Sequence, residues 1–396
     1  MASFQYGGQA LIEGVLMRGR NALAVALRHP DGSIVYSTER LDLGLRARRA
    51  LRLPFLRGLV VLYDTLVTGT RWLVRSATLQ ALALEEADAN KSAGAGGGAA
   101  ASLLTLAAVP FAACAAYSDP DATSSSPDPS PAEQGLGKGY AVAVGGMLLI
   151  TFAFAIGIFF LLPLLLAQAT VGRVDHGFGL QLSEGLIRIV IFIGYLLLVG
   201  QAKDIRRTFQ YHGAEHMSIH TLEAGDPLTV DAARHYPTAH PRCGTEFLVV
   251  VLIVSILAFA VVGSLPPLWL IASRVILIPV IAAVSYEILQ LGARHRSHAL
   301  VRWLWSPGIW VQMITTRQPS DDMIEVAIVS LEQALLANGA EVPSGSASFA
   351  SRPISPERDL GAANPAGTEA AKVKSGEVAS RGSEGTAKVK SGGLDS

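Results

Sequence analysis

The stretch Tyr211-His-Gly-Ala-Glu-His216 sets two imidazoles four residues apart with a carboxylate beside the second. On a helix such residues lie one turn apart on one face, so His212 and His216 can aim ring nitrogens at a single ion. H-x-x-E-H is the inverted zinc-peptidase arrangement, in which Glu215 would act as catalytic base towards a water molecule. His220 extends the stripe by a turn, and Glu223 follows it. Gly225-Asp-Pro227 ends the helix and lets the chain return, so that His240-Pro-Arg-Cys-Gly-Thr245 can bring an imidazole and a thiol back to the pair. The expected ligands are His212 and His216, completed by His220, His240 or Cys243, around a divalent metal that these donor types suit to zinc. Five of the nine histidines fall within residues 212–240, a density that strengthens a short motif. The plainer alternative is a basic interfacial helix with histidines at headgroup level. His235 is in either case read as a surface histidine on a short helix around Val230–Tyr236; in the plainer reading Cys243 is a small buried residue and any metal structural.

The segments that must position these groups are those of a membrane protein. The chain is 50% hydrophobic and 16% charged, with a mean hydropathy of +0.39, against about a quarter charged in soluble proteins. Lys plus Arg and Asp plus Glu balance at 32 each, so net charge indicates no nucleic acid. Two cysteines, Cys114 and Cys243, are too few for a disulfide framework. The first residues lack a basic region followed by an apolar run, so no cleavable signal peptide is expected.

A span needs about 20 mostly apolar residues. Four are expected, near 140–168, 185–202, 247–263 and 269–289, with Gly263-Ser-Leu-Pro-Pro267 turning the chain between the last two. Arg188, near one end of the second, is expected to snorkel to the headgroups. Leu103–Tyr117 is apolar but short and is left out. Leu56–Leu84, interrupted by Arg57, Asp64, Arg71 and Arg75, reads as an amphipathic interfacial helix. With four spans every Arg-rich segment falls on one side, which makes both termini cytoplasmic. Glu287, near the cytoplasmic end of the fourth span, needs a partner at the depth of the histidine loop, or pairs with Arg294.

Outside the spans, Ala22–Arg28 and Ser33–Glu39 alternate around the turn His29-Pro-Asp-Gly32 and read as strands. Ala299–Thr316 holds three of the five tryptophans and reads as an interfacial helix. Ser320-Asp-Asp caps a soluble amphipathic helix over 321–337, with an apolar stripe of Ile324, Ala327, Ile328, Leu331 and Leu335. The expected fold is thus mainly α and polytopic, with about four transmembrane helices, a small N-terminal β element and cytoplasmic amphipathic helices. Its parts are a β element plus interfacial helix (1–86), a flexible insertion (87–137), a membrane domain (138–298) with a histidine-rich loop (203–245), interfacial and soluble helices (299–338), and a disordered tail (339–396).

Gly7-Gly-Gln-Ala-Leu-Ile-Glu-Gly-Val-Leu-Met-Arg-Gly19, the two histidine motifs, Ser285-Tyr-Glu287 and Asp321-Asp-Met-Ile-Glu-Val326 occur in this order. Together they resemble the YqhQ-like family (domain of unknown function 1385) over about residues 5–86 and 138–338. The family is described as predicted metal-dependent membrane enzymes of bacteria. The resemblance implies a bacterial inner-membrane location and matches Glu13, His212, Glu215, His216, His220, His240, Cys243 and Glu287 to family positions. Glu13, Glu223 and Glu287 are then expected around the metal or facing substrate. Two functions follow as expectations. One is a metal-dependent membrane enzyme, a hydrolase on an unknown substrate. The other is a non-enzymatic scaffold or assembly factor in which a metal or histidine cluster pins the loop and helix 321–337 recruits a protein partner. A transporter fits less well, since the polar groups gather at the membrane edge and not at its midplane. The bilayer is the expected partner, and a homo-oligomer is compatible with the sequence.

Overall fold

Strict alternation of side chains fixes the architecture of the N-terminal region. The computed structural model describes residues 6–41, 53–92, 150, 153–171, 178–241, 243–263, 265–295, 298–355 and 359–360. Strands β1 (Gly7–Leu11), β2 (Gly14–Arg18), β3 (Ala22–Arg28) and β4 (Ile34–Arg40) form an antiparallel meander. Successive side chains point to opposite faces of a sheet. Val15, Met17, Ala24 and Ala26 therefore face one way, and Leu16, Leu23, Val25 and Leu27 the other. Both faces are covered, which is why β3 is an unbroken apolar run. Trp72 and Leu79 of α1 (Leu56–Ser92) close the second face. The first is closed by α4 (Lys203–Ala224) and α9 (Asp321–Ala337), through Tyr211, Ala214 and Met217 and through Met323, Ala327 and Leu331.

The expected strands at 22–28 and 33–39 are present, and two more, β1 and β2, fill the glycine-rich motif before them. Helix α9 has the expected bounds, and its apolar stripe is among ten residues buried against the sheet and α4. Ser330, at its centre, is fully buried and donates to the Val15 or Ala24 carbonyl. Ser320 occupies the N-cap position, and its side chain makes no capping hydrogen bond. The expectation of a disordered tail from residue 339 is corrected for 339–355. There β5 (Ser351–Pro353) pairs parallel to β4, and Ala347 donates to the Leu228 carbonyl. Cys114, Leu103–Tyr117 and the insertion from residue 93 to 137 lie outside the described residues, as does the tail from 361 on.

Among the described residues, four helices are long and apolar enough to cross a membrane, spanning 153–170, 179–199, 245–262 and 272–294. They are α2 (Leu162–Thr170, continuing a π-helical stretch, Gly157–Leu161), α3 (Phe178–Val199), α6 (Thr245–Val262) and α7 (Pro267–Arg294). The short α5 (Val230–Ala233) lies between α4 and α6, and α8 (Ala299–Thr315) follows α7. Pro163 accounts for the π stretch: it has no N–H to return to Phe159, one turn back. The freed Phe159 carbonyl accepts from Arg188 Nε at 3.0 Å.

Arg188 consequently does not snorkel. It is 3% exposed and paired with Glu184, whose other oxygen holds Arg274 of α7 at 2.7 Å. Two guanidiniums thus share one carboxylate among apolar helices. The Phe259 ring lies 4.9 and 4.0 Å from their Cζ atoms and supplies part of the missing negative charge. Removing the shared partner leaves two uncompensated cations, a loss of about 3–5 kcal/mol for a buried network. Glu184→Gln is therefore expected to abolish or strongly lower the yield of folded protein and its unfolding midpoint in detergent. A midpoint within error of wild type would show that the triad does not hold the bundle.

Candidate functional site

Helix α4 has two working sides. Tyr211, Ala214 and Met217 enter the sheet core, while His212, His216 and His220 line up on the other side at one-turn intervals. Gly225, at φ 80°, ends the helix in the left-handed conformation that its sequence predicts. The chain then returns along the histidine side as the segment 238–243, and the carbonyls of that segment set the rings. His216 Nδ1 donates to the Thr238 carbonyl at 2.6 Å, and His220 Nε2 to the Ala239 carbonyl at 3.0 Å. Thr315, at the end of α8, accepts from His212 Nδ1 at 3.0 Å. These tautomers follow from the partners, since a carbonyl can only accept.

With Nδ1 engaged, His212 and His216 both offer Nε2. His212 Nε2 lies 3.1 Å from Cys243 Sγ, and His216 Nε2 is buried with no hydrogen-bond partner among the described residues. The ligand atoms of His212, His216 and Cys243 all lie within 4.8 Å of one another. Burial, and then the positive charge that His212 would carry, push the His216 imidazole down to about 2, so it stays neutral as a ligand must. Burial pushes the Cys243 thiol up, opposed by the Thr245 hydroxyl and N–H, which donate to Sγ at 3.3 and 3.4 Å. A bound cation would displace that proton.

Glu215 is 3% exposed. Gly8 of β1 donates its N–H to the carboxylate, and Oε2 has no hydrogen-bond partner among the described residues. Burial raises its pKa to about 8, against the opposing pull of His212. The group lines a cavity of about 780 Å³ together with His212, His216, His240 and Cys243. Its other walls are β1, the α1 segment around Thr65–Gly69, and Tyr286 of α7.

The remaining expected residues are distributed differently. His220, Glu223 and His240 have ligand atoms within 4.8 Å of one another and form a second group, whose His240 also lines the cavity with the first. Glu13, at φ 55° in the β1–β2 turn, is held by both arms of Arg207 and by the Tyr211 hydroxyl. Glu287 is paired with Arg57, not Arg294, and also accepts the Phe55 N–H at 2.9 Å, which ties α1 to α7. Neither carboxylate lines the cavity, so the role of facing substrate expected for them is replaced by one of joining elements. The interrupting charges of α1 are likewise engaged, Asp64 by Arg18 and both Arg71 and Arg75 by Glu39. His235 is exposed, as read from the sequence.

Residues 53–337 match the family described as Protein of unknown function (DUF1385). The chain belongs to the DUF1385 family. The Uncharacterized protein YqhQ of Bacillus subtilis (strain 168) is 30% identical over 331 residues, covering 83% of this chain and 92% of that protein. Among solved structures, none matches significantly. The matched DUF1385 region contains all the histidine, cysteine and Glu215 groups of the site, whereas Gly8 and its strand precede it. Sequence reasoning noted the Gly7-Gly8 pair without a role. It could not have found the Thr238, Ala239 and Thr315 carbonyls, because any residue type offers one.

A methyl group on Gly8 would lie 2.4 Å from the Leu16 carbonyl oxygen and 3.0 Å from Glu215 Oε1, whereas one on Gly7 meets nothing within 4 Å. Gly8→Ala is therefore expected to destabilise by about 1–3 kcal/mol, the usual cost of overpacking. Gly7→Ala should fall within about 0.5 kcal/mol of wild type. Thermal melts of the detergent-solubilised proteins compare the two, and equal losses would contradict the close approach of Glu215 to β1.

Proposed function

We propose that this protein is a metal-dependent integral membrane enzyme, a hydrolase, whose site lies at the cytoplasmic boundary of the bilayer. One observation carries this reading. Three soft-to-borderline donors, His212 Nε2, His216 Nε2 and Cys243 Sγ, converge on the wall of a large cavity beside a buried carboxylate. The donor set fits zinc, and three protein ligands are the number that catalytic sites use while keeping a position for substrate. When bound, such a cation supplies Lewis acidity and lowers the pKa of water.

The chain's own residues supply the rest. The Thr315 and Thr238 carbonyls fix the two rings, so little reorganisation is needed on binding. Gly8 orients the Glu215 carboxyl, and a cation held by the three donors would favour its ionised form, so that Oε2 could take a proton from the attacking water and return it to the leaving group. Burial among α4, β1 and α1 keeps bulk water from competing for that proton. Two hairpins, α2–α3 and α6–α7, return the chain to the side where α4, α8 and the sheet lie. With four spans, the order of segments along the chain puts every Arg-rich stretch of the sequence on one side of the bilayer, which supports cytoplasmic termini in a multi-pass protein of the cell membrane. Against the scaffold reading, α9 is engaged with the sheet and has little apolar face left for a recruited partner.

Elemental analysis of the purified protein tests the centre. Wild type should retain metal and the His212→Ala/His216→Ala double variant should lose it, whereas equal content in both overturns the proposal. For catalysis, Glu215→Gln should keep the metal and fail to complement a strain lacking the gene, in line with a rate loss of about 10²–10⁴ for a general base. Full complementation by that variant would leave the metal a structural part.

A further inference from the structure

We propose that His220, Glu223 and His240 form a second divalent-cation site, separate from the His212, His216 and Cys243 set. The two sets share no member, and within each the ligand atoms lie within 4.8 Å of one another. Ring positions draw the same division. His212 and His216 are 4.4 Å apart between centroids, His220 and His240 are 4.4 Å apart, and the gap between His216 and His240 widens to 5.7 Å.

The second set is held as ligands are held. His220 donates Nε2–H to the Ala239 carbonyl, which leaves Nδ1 as its donor atom, and the Tyr236 ring stacks on it at 5.9 Å. His240 is 3% exposed, and its backbone N–H is fixed by the side-chain oxygen of the fully buried Gln312. Its Nε2 lies 3.3 Å from Glu223 Oε2. His220 and Glu223 are three residues apart on α4, the spacing that puts both on one face. Two imidazoles and a carboxylate accept zinc and also harder ions such as manganese or iron(II), whereas the first set contains a thiolate.

The arrangement also gives the second ion a task. The segment 238–243 supplies the carbonyls that orient His216 and His220, the imidazole of His240 and the sulfur of Cys243. An ion between His240 and α4 clamps this segment and so holds Cys243 in place for the first set. The second site is built independently of any turnover at the first.

Cobalt(II) distinguishes the sites, because only the first has a sulfur ligand and hence a thiolate-to-metal charge-transfer band. The full-length protein in detergent is stripped with chelator, reloaded with cobalt and analysed for metal and for absorption. Wild type should hold two equivalents. Glu223→Gln, which removes one partly exposed carboxylate, should hold one and keep the thiolate band, with the first ion binding several-fold more weakly. Cys243→Ser should also hold one and lose the band. If Glu223→Gln binds as much cobalt as wild type, the second site is overturned and the first is untouched. A single equivalent in wild type that both variants lose overturns the division in favour of one shared site. A wild type that binds none overturns both metal readings. Circular dichroism melts confirm that each variant is folded.

Discussion

The imidazoles of α4 are anchored by carbonyls that belong to other parts of the chain, and this constraint organises much of the molecule. A histidine directs a lone pair only when its second nitrogen is fixed. To bring Thr238, Ala239 and Thr315 to that position, the chain must fold back after α5 and α8 must end beside α4. Helix α4 must meanwhile present its other side to the sheet, where Tyr211, Ala214 and Met217 are fully buried. The same helix is therefore a wall of the soluble core and the floor of the cavity, and a shift of either would misdirect the rings.

Charged pairs join the elements that surround the cavity, and these explain carboxylates that would otherwise look catalytic. Glu287 joins α7 to α1, Glu13 joins the β1–β2 turn to α4, and Glu39 anchors α1 to the sheet. Each of these pairs holds a surface of the cavity at a set distance without entering it. Glu215 differs in having only a backbone N–H as its described donor, and it lines the cavity itself.

Much of this was legible in the sequence wherever the signal was local. Helix α9, the turn at Gly32, the helix end at Gly225, and the pairing of His212 with His216, with Cys243 one of three candidates to join them, all follow from patterns a few residues long or from a return imposed by Gly-Asp-Pro. What depended on distant partners was not. Arg188 sat within a few residues of an expected span end, so snorkelling was the local reading; its partners lie on α2, α3 and α6. β5 is three residues in a Ser- and Pro-rich stretch, and it is a strand only because β4 offers an edge. Which ring nitrogen His212, His216 and His220 keep free turns on which one each carbonyl takes. No spacing encodes that choice.

The buried triad bears on how the chain enters a membrane. An arginine within a lone apolar helix costs up to about 2.5–3.5 kcal/mol to insert, the full figure applying at its centre. Helix α3 carries Glu184 and Arg188 one turn apart and brings its own neutralising partner. Helix α7 brings Arg274 alone, and the carboxylate that receives it was made 90 residues earlier. The order of synthesis thus matches the order of need: a hairpin already seated in lipid offers the docking point that lets the last span settle.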